Sequence, residues 1–331
     1  MKILISSHFF SPNVGGIETV SAVLATEFSA LGHDVRLVTQ SVADDKREWP
    51  FEVLRAPKRG TLLDLARWCD IYWQNNISLQ SLWPLASVAR PVVITSQTWL
   101  LPNAVGWLKH QVLRWAAERI YISAAVAAHI GLPGRVIYNP YDEKTFHSEH
   151  SILRTGDLVF VGRLVSDKGV DLVLEALSML RQCDLMPRLT IIGDGPEEGP
   201  LREMVCAMGL DGQVSFAGRR LGVELARELA RHKVMVVPSR WEEPFGIVAV
   251  EGIAAGCLVV AATGGGLGEA VGAAGRLFQR ADAASLAEEL ARIWAKPSVG
   301  IDAEVRQAHL AQFQAPDIAR EYLEVFDSAL K

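Results

Sequence analysis

The chain is poor in the features by which function is most easily read. Its four cysteines, Cys69, Cys183, Cys206 and Cys257, lie far apart and form no C-x-x-C pair. That excludes a zinc ribbon or a disulfide framework and leaves free, buried thiols of a reducing compartment. No Asp-x-Asp pair occurs anywhere. The longest apolar run, Gly252 to Thr263, falls short of the ~20 residues that a membrane-spanning helix needs. There is no excess of basic residues either: the net charge is -5 and the pI about 5.9, which argues against a nucleic-acid binder working through overall charge. Lys2-Ile-Leu-Ile5 follows Met1 directly, so no signal peptide is expected and the protein reads as cytoplasmic.

What is present is an apolar-rich chain of 331 residues, half of them hydrophobic, long enough to predict two domains and too apolar for general disorder. Short β-branched runs alternate with segments of helical spacing. In the first part strands are expected at Ile3–Ile5, Val35–Thr39, Phe51–Leu54, Ile71–Trp73, Val92–Thr95, Ile120–Ile122 and Val136–Tyr138, with a helix over Ile17–Leu31. After Asn139-Pro140 and a polar stretch the scheme restarts. Strands are expected at Asp157–Val161, Leu189–Ile192, Val214–Ala217, Val234–Val237 and Leu258–Ala261, and helices at Val170–Leu180, Val223–Arg231 and Phe245–Ala255. The glycine loop Thr263–Glu269 precedes the last short helix of that core.

The alternation predicts an α/β protein of two doubly wound, Rossmann-like domains with a cleft between their carboxyl edges. The expected boundaries are 1–148 and 149–312, followed by 313–331, a helix that packs back on the first domain.

Three stretches carry chemistry. Val234–Val237 reads as a buried strand, and Pro244-Phe245-Gly246 as the first turn of the next helix, since proline is at ease where the N–H has no partner. This brings Glu243, the open N–H groups of a helix start and Glu251 to one spot. Such N–H groups attract phosphate and carboxylates accept from hydroxyls, so the stretch suits a ligand bearing both. Arg163 and Lys168 flank a loop after the strand Asp157–Val161, where two cations fit a diphosphate or form a surface ion pair with Asp167. Gly15-Gly16 opens the first helix without G-x-G-x-x-G spacing, which leaves both a phosphate loop and a plain turn open.

Taken together, Gly162-Arg163, Lys168-Gly169, Gly193-Asp-Gly-Pro196, Pro238-Ser239 and Glu243-Pro-Phe-Gly246 with Glu251 resemble family 4 of the retaining glycosyltransferases, which have the GT-B fold. The Glu243–Glu251 spacing is similar to that family's Glu-x7-Glu motif. Gly15-Gly16-Ile-Glu18, Asn139-Pro140 with Asp142 and Phe146, and Gly265-Gly266 with Glu269 extend the resemblance over nearly the whole chain.

The resemblance implies that Arg163, Lys168 and Glu243 form the catalytic set: the two cations on the donor diphosphate, Glu243 on hydroxyls of the donor sugar. Glu251 would bind the ribose. The backbone at Phe245, Gly246, Ile247 and Val248 would meet sugar and phosphate, Gly15 and Gly16 would approach the phosphate, and Gly218 and Arg219 would lie near the base. Where the family often has a histidine facing the donor sugar, this chain has Gln97, which can position a sugar but takes no proton at neutral pH. The other reading is an ordinary loop residue.

The implied activity is retaining transfer of a hexose from a nucleoside diphosphate sugar, UDP-linked first and GDP-mannose second, to a hydroxyl of a saccharide or lipid-linked saccharide acceptor. The setting would be bacterial polysaccharide or glycolipid assembly, without cofactor or nucleic-acid partner. Without Asp-x-Asp, the diphosphate would be neutralised by Arg163, Lys168 and a helix N-terminus, and the enzyme would be metal-independent. The alternatives are a nucleotide-sugar epimerase of the same fold and a non-catalytic nucleotide-sugar-binding protein. Trp107–Arg119 alternates apolar and basic positions at helical spacing. It is either a packed helix or a peripheral contact with the inner face of the membrane.

Overall fold

Two sheets organise the molecule, one in each of two compact units. The computed structural model describes residues 1–13, 15–42, 47–148, 152–296 and 299–331. The first unit comprises Met1–Asp142 with Gln312–Lys331, and the second Glu143–Ala311. The boundary expected at 148/149 abuts residues 149–151, which lie outside the described residues, as does Val14 of the first glycine loop.

The first unit runs β1 (Lys2–Ser6), α1 (Gly16–Ala30), β2 (Asp34–Thr39), β3 (Glu52–Arg55), α2 (Arg59–Trp68), β4 (Ile71–Asn75), β5 (Val92–Ser96), α3 (Ala104–Trp115), β6 (Glu118–Tyr121), α4 (Ala124–Ile130) and β7 (Arg135–Val136). Its strands are all parallel in the order β3-β2-β1-β4-β5-β6-β7. Residues of β4 and β5 are buried along their whole length, as a parallel sheet covered on both faces requires.

The second unit runs β8 (Gly156–Val161), α5 (Val170–Arg181), β9 (Leu189–Ile192), α6 (Glu198–Ala207), β10 (Val214–Gly218), α7 (Gly222–Ala230), β11 (His232–Val237), α8 (Ile247–Ala254), β12 (Leu258–Ala262), α9 (Leu267–Val271), β13 (Gly275–Phe278), α10 (Ala283–Trp294) and α11 (Ala303–Leu310). Its parallel order is β10-β9-β8-β11-β12-β13. Each order reverses direction once, between β1 and β4 in one unit and between β8 and β11 in the other. Open α/β sheets bind ligands at the carboxyl ends of the strands beside such a reversal.

The last helix, α12 (Ala315–Ala329), belongs to the first unit. Its Tyr322 and Phe326 pack on Trp73 of β4 and Phe28 of α1, with ring centroids 5.2 Å apart for Trp73–Tyr322 and 5.6 Å for Phe28–Phe326. The polar atoms of this cluster are also matched: Trp73 Nε1 donates to Thr95 Oγ1 at 2.9 Å, and Thr95 Oγ1 lies 3.3 Å from the Tyr322 hydroxyl. Burying an indole nitrogen without such an acceptor costs about 1–3 kcal/mol.

Four expectations need correction. The helix after β11 begins at Ile247, not at Pro244, because Gly246 takes φ +107°, outside the right-handed helical region and open to glycine alone. The second core does not end with the short helix α9. It continues through β13 and α10, whose Phe278, Leu286, Leu290 and Ile293 are buried in it. The strand expected over Val136–Tyr138 is only the two-residue β7. Finally, the helix expected through Arg119 stops at Trp115. Arg119 lies in β6, and its guanidinium donates to the Leu113 and Ala116 carbonyls at 3.1 and 3.0 Å, closing the open end of α3.

Candidate functional site

The loops that follow β8 and β11 meet at the reversal point of the second sheet. A 3-10 turn over Ser166–Lys168 ends at Gly169 in the left-handed region, φ +69°. A Cβ at Gly169 would sit 2.2 Å from the Pro238 carbonyl oxygen, so only glycine lets the two loops touch here. The Asp167 carbonyl accepts the N–H groups of Arg240 and Trp241 at 2.8 and 3.2 Å. The loop after β12 is joined to the same structure, as Gly266 N–H donates to the Glu243 carbonyl at 2.8 Å. Three loops are thus fixed by their backbones before any side chain is placed.

The side chains that this scaffold presents are charged. Lys168 Nζ lies 2.5 Å from Glu243 Oε1, which also accepts from the Ser239 hydroxyl at 2.8 Å. Both partners of the ion pair are part-buried. Arg163 is exposed and makes no side-chain hydrogen bond or ion pair among the described residues. No side chain caps α8 at Gly246, and an uncapped helix start directs its first N–H groups at whatever lies before it. Glu251 is buried on that helix, and Phe245 is buried just before it.

The structure therefore brings Arg163, Lys168, Glu243 and the residues Phe245, Gly246, Ile247 and Val248 into one group of loops. Gly218 ends β10, two strands from β8 in the same sheet, and the exposed Arg219 follows it. Ser239 carries part of Glu243's orientation and had no assigned role in the sequence reading. The neighbouring cation Arg240 is occupied by Asp171 of α5 at 2.5 Å.

In the first unit, α1 starts at Gly16 with no side-chain cap. The Glu18 side chain folds over Gly15, its Oε2 2.6 Å from where a Cβ would stand, so an acidic group shares this turn. Gln97 follows β5, is buried, and turns its carboxamide into the unit: Nε2 donates to Asn75 Oδ1 at 2.8 Å and to Asn139 Oδ1 at 3.0 Å.

No group of three or more His, Cys, Asp or Glu among the described residues is placed to hold a metal ion. Of the four cysteines expected to be buried, Cys183 and Cys206 are exposed. Cys69 and Cys257 are buried, and burial pushes both thiols up to about 12, far from the thiolate that a nucleophile requires.

Residues 155–296 match the family model "Glycosyl transferases group 1". A 120-residue stretch, 36% of this chain, is 40% identical to glycogen synthase of Mycobacterium tuberculosis and covers 29% of that protein. A 167-residue stretch, 49% of this chain, is 34% identical to D-inositol 3-phosphate glycosyltransferase of Pseudarthrobacter chlorophenolicus and covers 37% of it. The chain thus spans about a third of the length of these curated relatives. Among solved structures, HepE of Anabaena in complex with UDP and glucose superposes with a TM-score of 0.82 at 22% identity, over 99% of this chain and 100% of that one. Sucrose-phosphate synthase of Thermosynechococcus elongatus superposes with a TM-score of 0.80 at 19% identity, over 98% of both chains. At such identities the likeness is one of fold. The chain has the GT-B fold, and the stretch that matches the glycosyl transferases group 1 model lies within its second unit.

Proposed function

We propose that this chain is a retaining, metal-independent glycosyltransferase that moves a hexose from a nucleoside diphosphate sugar, UDP-linked first and GDP-mannose second, to a hydroxyl of a saccharide or lipid-linked saccharide. The observation that carries this reading is the group at the β8/β11 reversal: Arg163, Lys168 and Glu243 beside the uncapped start of α8. Arg163 and Lys168 stabilise the charge that develops on the departing diphosphate, together with the α8 N-terminus. Glu243, held by Lys168 and Ser239, accepts hydrogen bonds from sugar hydroxyls, and Glu251 takes the ribose diol. The bond from the anomeric carbon to the phosphate oxygen breaks. The acceptor oxygen replaces it on the same face, and its proton passes to the leaving phosphate oxygen.

A panel of UDP, GDP and their sugars in a thermal-shift assay tests the donor, since a ligand of the native state raises stability as RT ln(1 + [L]/Kd). Release of nucleoside diphosphate only when an acceptor is present supports transfer. Interconversion of the sugar without acceptor indicates an epimerase, and binding without turnover a non-catalytic binder. Turnover that chelator abolishes and Mg²⁺ restores would overturn the metal-independent account.

We place the reaction in the cytoplasm, at the inner face of the membrane and in polysaccharide or glycolipid assembly. Supporting this is α3, whose Val105, Trp107, Leu108 and Trp115 are exposed alongside Lys109 and the exposed Arg114, an apolar and basic surface suited to anionic lipid. No helix among the described residues is long and apolar enough to cross a membrane. Flotation with anionic liposomes tests the contact, and absence of binding removes it.

A further inference from the structure

A chain of uncharged side chains runs along the carboxyl edge of the first sheet. The Ser7 hydroxyl donates to the Phe9 carbonyl at 2.7 Å, and Ser21 Oγ lies 2.9 Å from Ser7 Oγ and 2.9 Å from the Ile17 carbonyl. Asn75 Nδ2 donates to Ser21 Oγ at 2.7 Å and to the Ile17 carbonyl at 3.2 Å. Asn75 Oδ1 accepts from Gln97 Nε2 at 2.8 Å. Gln97 and Asn139 then pair reciprocally, Gln97 Nε2 to Asn139 Oδ1 at 3.0 Å and Asn139 Nδ2 to Gln97 Oε1 at 2.8 Å. Ser7, Ser21, Asn75, Gln97 and Asn139 are all buried.

The direction of this chain has a single origin. The Ile17 carbonyl can only accept, so it turns the NH₂ of Asn75 toward α1 and its oxygen toward Gln97. That oxygen demands a donor, which turns the NH₂ of Gln97 toward Asn75 and leaves the Gln97 oxygen for the NH₂ of Asn139. Neither a histidine nor a carboxylate at position 97 has the two donors and one acceptor that Asn75 and Asn139 together require. The buried groups would then lose partners, at a cost greater than the bonds themselves were worth.

The elements so joined are the loop after β1, the first turn of α1, the ends of β4 and β5, and the segment that leaves the unit at Asp142. The first two border the β1/β4 reversal. We propose that Gln97 is a positioning residue that fixes this edge of the first unit for the transfer reaction through Asn75 and Asn139, and does not itself contact the sugar. The proposal rests on the transferase reading.

The test uses the full-length chain and the variants Gln97→Leu and Gln97→Glu, the second being isosteric should the first fail to fold. Hydrogen–deuterium exchange should rise about tenfold in residues 7–13 and 139–142, and remain unchanged in residues 163–168 and 239–247. With UDP-glucose or GDP-mannose, whichever the wild type turns over, kcat should fall about 10- to 100-fold while the donor KM moves less than about twofold. Unchanged exchange at 7–13 and 139–142 would overturn the frame. Raised exchange with an unaltered kcat would overturn the positioning role, and so would a rise in donor KM matching the whole loss. Failure of the wild-type chain to bind UDP or GDP would instead sink the transferase reading, and the exchange measurement would still decide whether Gln97 holds the edge.

Discussion

The two units solve the same geometric problem with opposite chemistry. At the β8/β11 reversal, loops are held by backbone groups and a glycine contact, and the side chains they present are ions, Arg163, Lys168 and Glu243. At the β1/β4 reversal, the loops are held by side chains, and these are amides and hydroxyls that bond one another inside the unit. Where side chains are spent on structure, they are not available to a ligand. Where the backbone does the holding, Arg163 keeps no side-chain partner among the described residues, and Lys168 and Glu243 pair with each other at the loop tips. The cores differ as well, since the first unit needs the aromatic face of α12 to cover Phe28 and Trp73.

The largest expected effect separates the cores. Phe326→Ala removes a fully buried ring from that cluster and should cost about 3–5 kcal/mol. Urea unfolding should show the loss in the first unit, and equal UDP affinity before and after would show that the second unit is untouched. Gly169→Ala comes next: its Cβ would collide with the Pro238 carbonyl at an already positive φ, for about 1–3 kcal/mol of overpacking. Here UDP binding, measured by calorimetry, should fall with stability, and retained affinity would break the link between loop contact and Lys168. Arg163→Ala should leave stability unchanged and weaken UDP binding by about 1.5–3 kcal/mol, the value of a charged hydrogen bond. Unaltered affinity would remove Arg163 from the diphosphate site.

The smallest effect depends on pH. Burial lowers the pKa of His232 below its ordinary 6.5, against the raising influence of the Glu228 carbonyl. The unfolded chain therefore binds more protons than the native one in the window below 6.5, and stability must fall as pH drops through it. Comparing unfolding midpoints at pH 7.5 and 5.5 should show this slope in the second unit, and His232→Gln should flatten it. His33 of the first unit is lowered too, by burial and by the N-terminal ammonium, and should keep its own slope in that variant.

This asymmetry also explains what the sequence could reveal. The second site is built from short loops, each following a strand that alternation already exposes, so Arg163, Lys168 and Glu243 sit at fixed places in recognisable runs. Its helix start is hidden, because Pro244 suggests a first turn that the φ of Gly246 forbids. The first edge joins Ser7, Ser21, Asn75, Gln97 and Asn139 across 132 positions, and no local pattern marks a serine or asparagine as belonging to such a chain. Only Asn139-Pro140 and Gln97 stood out, and nothing near either named the other as its partner. The edge strand β13 was missed for a related reason: Gly275-Arg-Leu-Phe278 is too short and too polar to read as core.

The place of α12 in the chain sets an order of events. All of the second unit, Glu143–Ala311, is made before the helix that closes the first. A nascent chain can therefore complete the later unit while the earlier one still waits, its Phe28 and Trp73 facing solvent or a chaperone until residues 315–329 emerge. The unit that begins first is the last to be finished.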